Sequence, residues 1–302
     1  MRIIFMGTPI FAAVSLNRLY SEKHDVAAVF SQPDKPKGRG LKIAETPVKL
    51  AALAQDTPVF QPATLKDGFA HSTIKDFNCD LIVTVAYGKF LPKEILELPS
   101  MGCINIHASL LPKYRGAAPI QWAVINGETE TGVTSIFLNE EMDAGDMIFC
   151  KRTTITENET SGELYNRLAD LGAELLSETV SSIVSGTFDK TPQDHKNATF
   201  APPIDKAMSV IDWNQNAMDI KNMVRGLNPM PGARAELNGS LYKIHSVDIS
   251  LNKSAKKSGE IIAASDNRLE VACLDGSVII NEIQALGAKK MSASDFLRGH
   301  KL

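Results

Sequence analysis

Residues 103–112 read CINIHASLLP, from Cys103 to Pro112, and the alternation inside this run decides how the chain is layered. Side chains i and i+2 of a strand share a face. Ile104 and Ile106 therefore enter one layer, while Asn105 and His107 point together into the other. The strand stops at LLP. Two polar side chains on one face at a carboxyl end either close a sheet edge or carry chemistry, and the rest of the chain distinguishes the two.

Upstream, RIIFM (residues 2–6), DVAAVF (25–30) and DLIVTVA (80–86) are short β-rich runs, separated by the amphipathic stretches FAAVSLNRLY (11–20) and TPVKLAALAQ (46–55). This alternation predicts an α/β fold: a doubly wound, mostly parallel, Rossmann-like sheet with helices on both faces. Such sheets place their sites beyond the carboxyl ends of the strands, where Asn105 and His107 fall. Gly7-Thr8-Pro9 occupies the first turn, but GxGxxG is absent, so it reads as a structural turn and not a dinucleotide site. In PIQWAVING (119–127), Pro119 suits the first position of a helix and Gly127 its end. TGVTSIFL (131–138) and DMIFCKRTTI (146–155) read as strands bracketing the turn-rich NEEMDAG (139–145), and residues 160–185 as one long helix.

From residue 186 to 206 the sequence turns to proline, polar residues and no periodicity, which is the composition of a linker. A helix over 216–225 follows, then short strands broken by Asn238-Gly239, Asp266-Asn267 and Asp275-Gly276. Closely spaced strands with hairpin turns predict a small, OB-like β-barrel. The expected organisation is a catalytic domain over 1–189, a linker over 190–206 and a barrel domain over 207–302.

At 302 residues, 44% hydrophobic and 22% charged with a formal net charge of −3, the chain has the make-up of a soluble two-domain protein. Residues 207–302 hold 12 Lys and Arg against 10 Asp and Glu, and the remainder holds 20 against 25. A mildly basic second domain is compatible with a polyanionic partner. No apolar run suits a membrane span, and MRIIFMGTP is too short for a secretory signal. Four scattered cysteines without CxxC and six histidines without HxxxH predict no disulfide framework, no metal and a reducing cytoplasm. No coiled-coil or extended apolar face appears, so a monomer is expected.

Asp143, in MDAGD, completes a polar set if its loop folds over the sheet edge, with Gly145 allowing the backbone to turn. Asn, His and Asp supply no nucleophile, and Ser109 has no nucleophile-elbow signature around it. The trio suits direct acyl transfer between two bound substrates. The Asn amide donates to a developing oxyanion, worth about 3–4 kcal/mol. The His manages protons, and the Asp orients it and favours its charged form.

INIHASLLPKYRGAAPIQWAVINGETETGV followed by MDAGD resembles the catalytic core of the 10-formyltetrahydrofolate-dependent formyltransferases, and the resemblance runs over nearly the whole chain. It implies a formyl-transferring enzyme with 10-formyltetrahydrofolate as donor and Asn105, His107 and Asp143 as the catalytic trio. It places Ser109, Leu110, Leu111 and Pro112 on the folate-associated SLLP. Tyr87, Gly88, Lys89, Phe90, Leu91 and Pro92, with the backbone of Asn139, Glu140, Glu141 and Met142, would line the pterin pocket. Glu141 and Ala144 stand where many relatives carry Gly and Thr, and Ser135 where they carry an apolar strand residue.

Gln32 to Gly40, QPDKPKGRG, resembles the insertion loop of the family branch that formylates methionyl-tRNA for translation initiation. Its prolines, glycines and cations make a mobile basic loop, and Lys35, Lys37, Arg39 and Lys42 are the candidate contacts to initiator tRNA. Arg225 to Ala233, RGLNPMPGA, resembles a stretch of the same branch and also reads as a domain-joining turn. The alternative acceptor is a sugar-nucleotide amine, which has no need of the basic loop.

Overall fold

The computed structural model describes residues 1–37, 42–252, 254–265, 268–300 and 302. By internal contacts the chain forms two compact units: Met1–Pro119 with Thr131–Thr153 and Tyr165–Ala201, and Ile120–Glu130 with Thr154–Leu164 and Pro202–Leu302.

The strands of the first unit are β1 (Arg2–Gly7), β2 (Asp25–Phe30), β3 (Lys35–Lys37), β4 (Lys42–Ala44), β5 (Val59–Phe60), β6 (Leu81–Val85), β7 (Cys103–His107), β8 (Arg115–Gly116), β9 (Glu130–Phe137), β10 (Met147–Thr154) and β11 (Phe200–Ala201). The main sheet runs β10-β9-β7-β6-β1-β2-β5. From β7 to β5 all neighbours are parallel, and β9 turns antiparallel against β7, His107 opposite Thr134. Helices α1 (Ile10–Ser21), α2 (Pro47–Leu53), α3 (Phe69–Phe77) and α4 (Lys93–Leu96) connect the parallel strands, and α5 (Pro119–Ile125) and α6 (Ser161–Ser185) follow.

Alternation along the strands sorts the two faces as the sequence predicts. Ile4, Met6, Ile82 and Cys103 pack with Ala70, Ile74 and Ile95 of α3 and α4 in one apolar core. On β7 the opposite face carries Ile106, whose Cγ2 would lie 3.3 Å from a Cβ placed at Gly172 of α6. Asn105 and His107 thus share the Cys103 face. Full burial of Ile3, Ile4, Phe5 and Phe30 contributes about 1.5–3 kcal/mol per side chain.

Local chemistry sets the helix ends. Thr46 caps α2 by accepting from Lys49 N at 3.2 Å, with Pro47 at the first position. Thr160 and Glu163 form a reciprocal capping box on α6: Glu163 N donates to Thr160 Oγ1 at 3.2 Å and Thr160 N to Glu163 Oε2 at 2.9 Å. Gly127 (φ +69°) ends the α5 segment as expected.

The second unit contains α7 (Ala217–Gly226), β12 (Ala233–Leu237), β13 (Ser240–Ser250), β14 (Ile261–Ser265), β15 (Arg268–Ala272), β16 (Ser277–Ala285), β17 (Met291–Ser292) and α8 (Ala293–Gly299). Its antiparallel sheet runs β12-β13-β16-β15-β14, with β17 on β16. Where the sequence predicts a barrel the structure has an open antiparallel sheet, since β12 and β14 do not pair with each other among the described residues. Ala233, Ala235 and Leu237 of β12 alternate into its core with Ile220 and Val224 of α7 and Phe296 of α8. Asn238 (φ +46°) and Gly239 (φ +77°) make the predicted two-residue hairpin turn between Leu237 and Ser240. The predicted turn Asp266-Asn267 lies outside the described residues.

Candidate active site

At the carboxyl end of β7 three side chains come together, from positions 105, 107 and 143. Asn105 Nδ2 lies 3.5 Å from Asp143 Oδ1, and His107 Nδ1 lies 3.6 Å from Asp143 Oδ2. Thr84 on β6 stands beside the amide, its Oγ1 at 3.0 Å from both Asn105 Oδ1 and the Ile104 carbonyl, and the Asn105 NH2 group faces Asp143. His107 is buried at 6% exposure, with Nε2 at 2.8 Å from the Tyr114 carbonyl. That nitrogen must carry a hydrogen and donate. Nδ1 faces the Asp143 carboxylate across the 3.6 Å gap.

Asp143 reaches this position by a strained route. Its φ of +49° lies in the left-handed region, where a non-glycine residue is uncommon, and Gly116 N donates to Oδ2 at 2.9 Å. Ala86 (φ +45°), just after β6, and Tyr114 (φ +61°), whose carbonyl holds His107, share the conformation. Such strain persists only where the surroundings over-determine it, and it gathers at functional sites. Gly145 works differently from the expectation. It has no positive φ; a Cβ there would meet the Phe137 carbonyl oxygen at 1.8 Å. Close approach of two backbones demands the glycine, and Asp143 itself makes the turn.

Ser109 and Leu111 follow directly after β7. Ser109 is fully buried and donates to Lys113 O at 2.6 Å, while Thr134 Oγ1 donates to Ser109 O and accepts from Leu111 N. Leu110 and Pro112 are half-buried. Tyr87 and Leu91 belong to the core shared with α3 and α4. Burial without a partner pushes the Tyr87 hydroxyl up to about 12. Gly88 and Phe90 are exposed, Phe90 at 64%. Lys89 donates to the Pro62 and Ala63 carbonyls, and burial, with the Lys35 charge nearby, holds its ammonium below the usual range. Asn139, Glu140 and Glu141 line a cavity of about 420 Å³ with Leu138, with Lys93 and Leu96 of α4 and with Glu97 just after it. Met142 is exposed.

The segment expected as a mobile basic loop contains paired strands, β3 and β4 running antiparallel with Lys35 opposite Ala44 and Lys37 opposite Lys42. Pro36 is tolerated there because a two-stranded ribbon has free edges. Arg39 lies outside the described residues. Ser135 is buried without penalty, accepting from Phe149 N at 3.1 Å and from Thr179 Oγ1 at 3.0 Å.

Sequence reasoning did not single out Thr84, Arg115 or Gln193. Arg115 sits within the quoted KYRG block, so its neighbourhood was legible. Gln193 lies in the aperiodic segment read as a linker, and nothing in its surroundings marks it.

Among the described residues no group of three or more His, Cys, Asp or Glu could hold a metal ion, and no helix is long and apolar enough to cross a membrane. The Formyl transferase family profile matches residues 1–180, and the profile of the Formyl transferase C-terminal domain matches residues 203–301. The chain belongs to the formyl transferase family, and it is a formyl-transferring enzyme. A methionyl-tRNA formyltransferase of Acetivibrio thermocellus is 45% identical over all of this chain and 97% of its own length. Another, of Pelotomaculum thermopropionicum, is 46% identical over 99% of this chain and 96% of its own. Among solved structures, an N-formyltransferase from Helicobacter canadensis in complex with folinic acid and dTDP-3-aminofucose shares the fold at a TM-score of 0.70 and 18% identity, over 96% of this chain and all of its own.

Proposed function

We propose that the chain transfers the formyl group of 10-formyltetrahydrofolate to the free α-amine of methionyl-initiator tRNA, as a cytoplasmic monomer serving translation initiation. The chemistry rests on one juxtaposition: amide, imidazole and carboxylate converge at the end of β7 with no nucleophile among them. The acceptor is supported by full-length relatives that carry the methionyl-tRNA formyltransferase name.

The amine attacks the formyl carbon, forming a new C–N bond as the carbonyl oxygen gains charge. Asn105 Nδ2 and the protonated His107 stabilise that oxyanion. Collapse breaks the bond to the folate nitrogen, and the proton lost by the amine is relayed through His107 to the leaving nitrogen. Asp143 holds the ring through this exchange. The loop that carries Asp143 also lends Asn139, Glu140 and Glu141 to the cavity beside α4. Carbonyls and carboxylates there suit the N–H donors of a pterin, and the exposed Phe90 ring suits its face. Lys35, Lys37, Arg39 and Lys42 are assigned to the tRNA backbone.

Incubation with 10-formyltetrahydrofolate and either methionyl-tRNA or an amino-sugar nucleotide tests the acceptor, with formyl-methionyl-tRNA expected as product. Formylation of the sugar alone refutes the assignment. Asn105→Ala should lower kcat by about 10²–10³-fold, and near-normal turnover would remove Asn105 from the mechanism. Binding of methionyl-tRNA should weaken steeply between low and moderate salt. A flat response excludes the basic loop as a phosphate contact.

A further inference from the structure

The segment 191–201, far along the chain, packs against the Asp143 loop. Thr191 and Met147 exchange backbone hydrogen bonds at 2.9 Å in both directions, and Arg115 N donates to Thr199 O at 2.8 Å. Between these anchors Gln193 is 4% exposed. Its Nε2 donates to the carbonyls of Asp143 and Gly145, each at 2.8 Å. Its Oε1 accepts from Arg115 Nε at 3.1 Å and Nη2 at 2.7 Å. A side-chain amide offers two hydrogens and two lone pairs, and all four are used.

The two carbonyls flank Ala144, so the amide grips the residue whose φ is +49° together with the tight glycine that follows it. The buried Arg115 guanidinium aligns the amide, and its chain neighbour Gly116 donates from its N–H to the carboxylate of the same Asp143. Backbone and side chain of Asp143 are thereby held by one short block, one directly and one through Gln193.

We propose that Gln193 is a positioning residue for the formyl transfer, acting through Asp143: its amide keeps the loop in the strained conformation that aims the carboxylate at His107 and Asn105. This rests on Asp143 being a member of the reacting trio. An amide is the fitting group because it must donate to two carbonyls while accepting from a cation. A carboxylate keeps the shape and the Arg115 contact but sets oxygen against oxygen at the loop.

The test is steady-state kinetics of the full chain carrying Gln193→Ala, Gln193→Glu, Asp143→Asn, or Gln193→Ala with Asp143→Asn, each confirmed folded by circular dichroism at the assay temperature. A misplacement of about 1 Å costs on the order of 100-fold, so both Gln193 variants should lose about 30- to 100-fold in kcat, with KM for donor and acceptor within about threefold. The double variant should be no more than about threefold slower than Asp143→Asn alone, since residues acting as one unit are non-additive. The proposal is overturned by a Gln193→Glu enzyme with kcat within threefold of the parent, by losses carried in KM, by losses that multiply in the double variant, or by outright unfolding of both Gln193 variants. If Asp143→Asn itself turns over normally, the trio assignment fails. If Asp143→Asn is crippled and Gln193→Ala is not, this proposal alone falls.

Discussion

The dipeptide Arg-Gly occurs in each unit at a buried knot, as Arg115-Gly116 and as Arg225-Gly226, and the two arginines are 5% and 8% exposed. Arg115 spends its guanidinium on side chains, Gln193 and, at 3.5 Å, His195 Nδ1, and Gln193 in turn grips the Asp143 loop. Arg225 spends its own on Asn222 Oδ1 and on backbone carbonyls of Val124, Thr156 and Glu159. Burial holds the Arg225 guanidinium below its usual range, with Glu159 and Glu157 opposing the effect. Each following glycine is needed for space: a Cβ would lie 2.7 Å from Ala201 O at Gly116 and 2.5 Å from Ile125 Cγ1 at Gly226. Identical dipeptides at similar burial therefore differ in what their acceptors touch. One knot ends on the loop proposed to carry the reaction, the other mainly on backbone carbonyls.

The sharpest separation comes from truncating each arginine. Arg225→Ala leaves several buried carbonyls without donors and should cost about 3–5 kcal/mol of unfolding free energy, read by urea denaturation of the second unit. Below its transition, kcat should stay within threefold of the parent. Arg115→Ala should do the reverse, lowering kcat by about 30-fold (about 2 kcal/mol) with the smaller loss of stability. Equal kinetic losses in both variants would erase the distinction drawn between the knots.

A finer contrast uses the glycines. Gly116 has φ +122°, so Gly116→Ala adds backbone strain of about 1–3 kcal/mol to its steric clash. Because its N–H donates to Asp143, the change should also lower kcat. Gly226→Ala should register in the melting temperature alone, since Ile125 Cγ1 must give way while no reacting group moves.

The smallest effect belongs to an exposed counterpart, the capping box of α6. Hydrogen bonds from the Thr160 backbone and hydroxyl hold the Glu163 carboxyl below its usual range. A depressed folded pKa means stability that is fully present above the unfolded value of about 4.3 and lost as pH falls through the folded one. Glu163→Ala should therefore lower stability at pH 7 by less than about 1 kcal/mol, and the gap to the parent should close below about pH 4. A gap that persists in acid would assign the loss to packing and not to the carboxylate.

Much of this molecule follows from short-range pattern. Period-two alternation in CINIH put Asn105 and His107 on one face and Ile104 and Ile106 on the other, and the helix and hairpin ends at Pro119, Gly127 and Asn238-Gly239 follow from the φ each residue type allows. The convergence of Asn105, His107 and Asp143 was also legible, because a doubly wound sheet gathers its strand ends at one edge. Other features left no trace along the chain. Gly145 serves close approach and not a turn, because Phe137 O from the preceding strand occupies the space a Cβ would need. The β3–β4 pairing forms within a segment whose composition reads as a mobile loop. Gln193 meets the Asp143 loop across 50 residues of sequence, inside an aperiodic stretch.

Periodicity records which side of an element is buried, and turn residues record backbone angles; both are properties of neighbours in sequence. A hydrogen bond between an amide and two carbonyls far up the chain has no period and no preferred spacing. The sequence by itself determined the layers, the turns and the polar strand end. Only the tertiary structure decided which distant backbone the Gln193 amide would close upon, and so how firmly Asp143 is held.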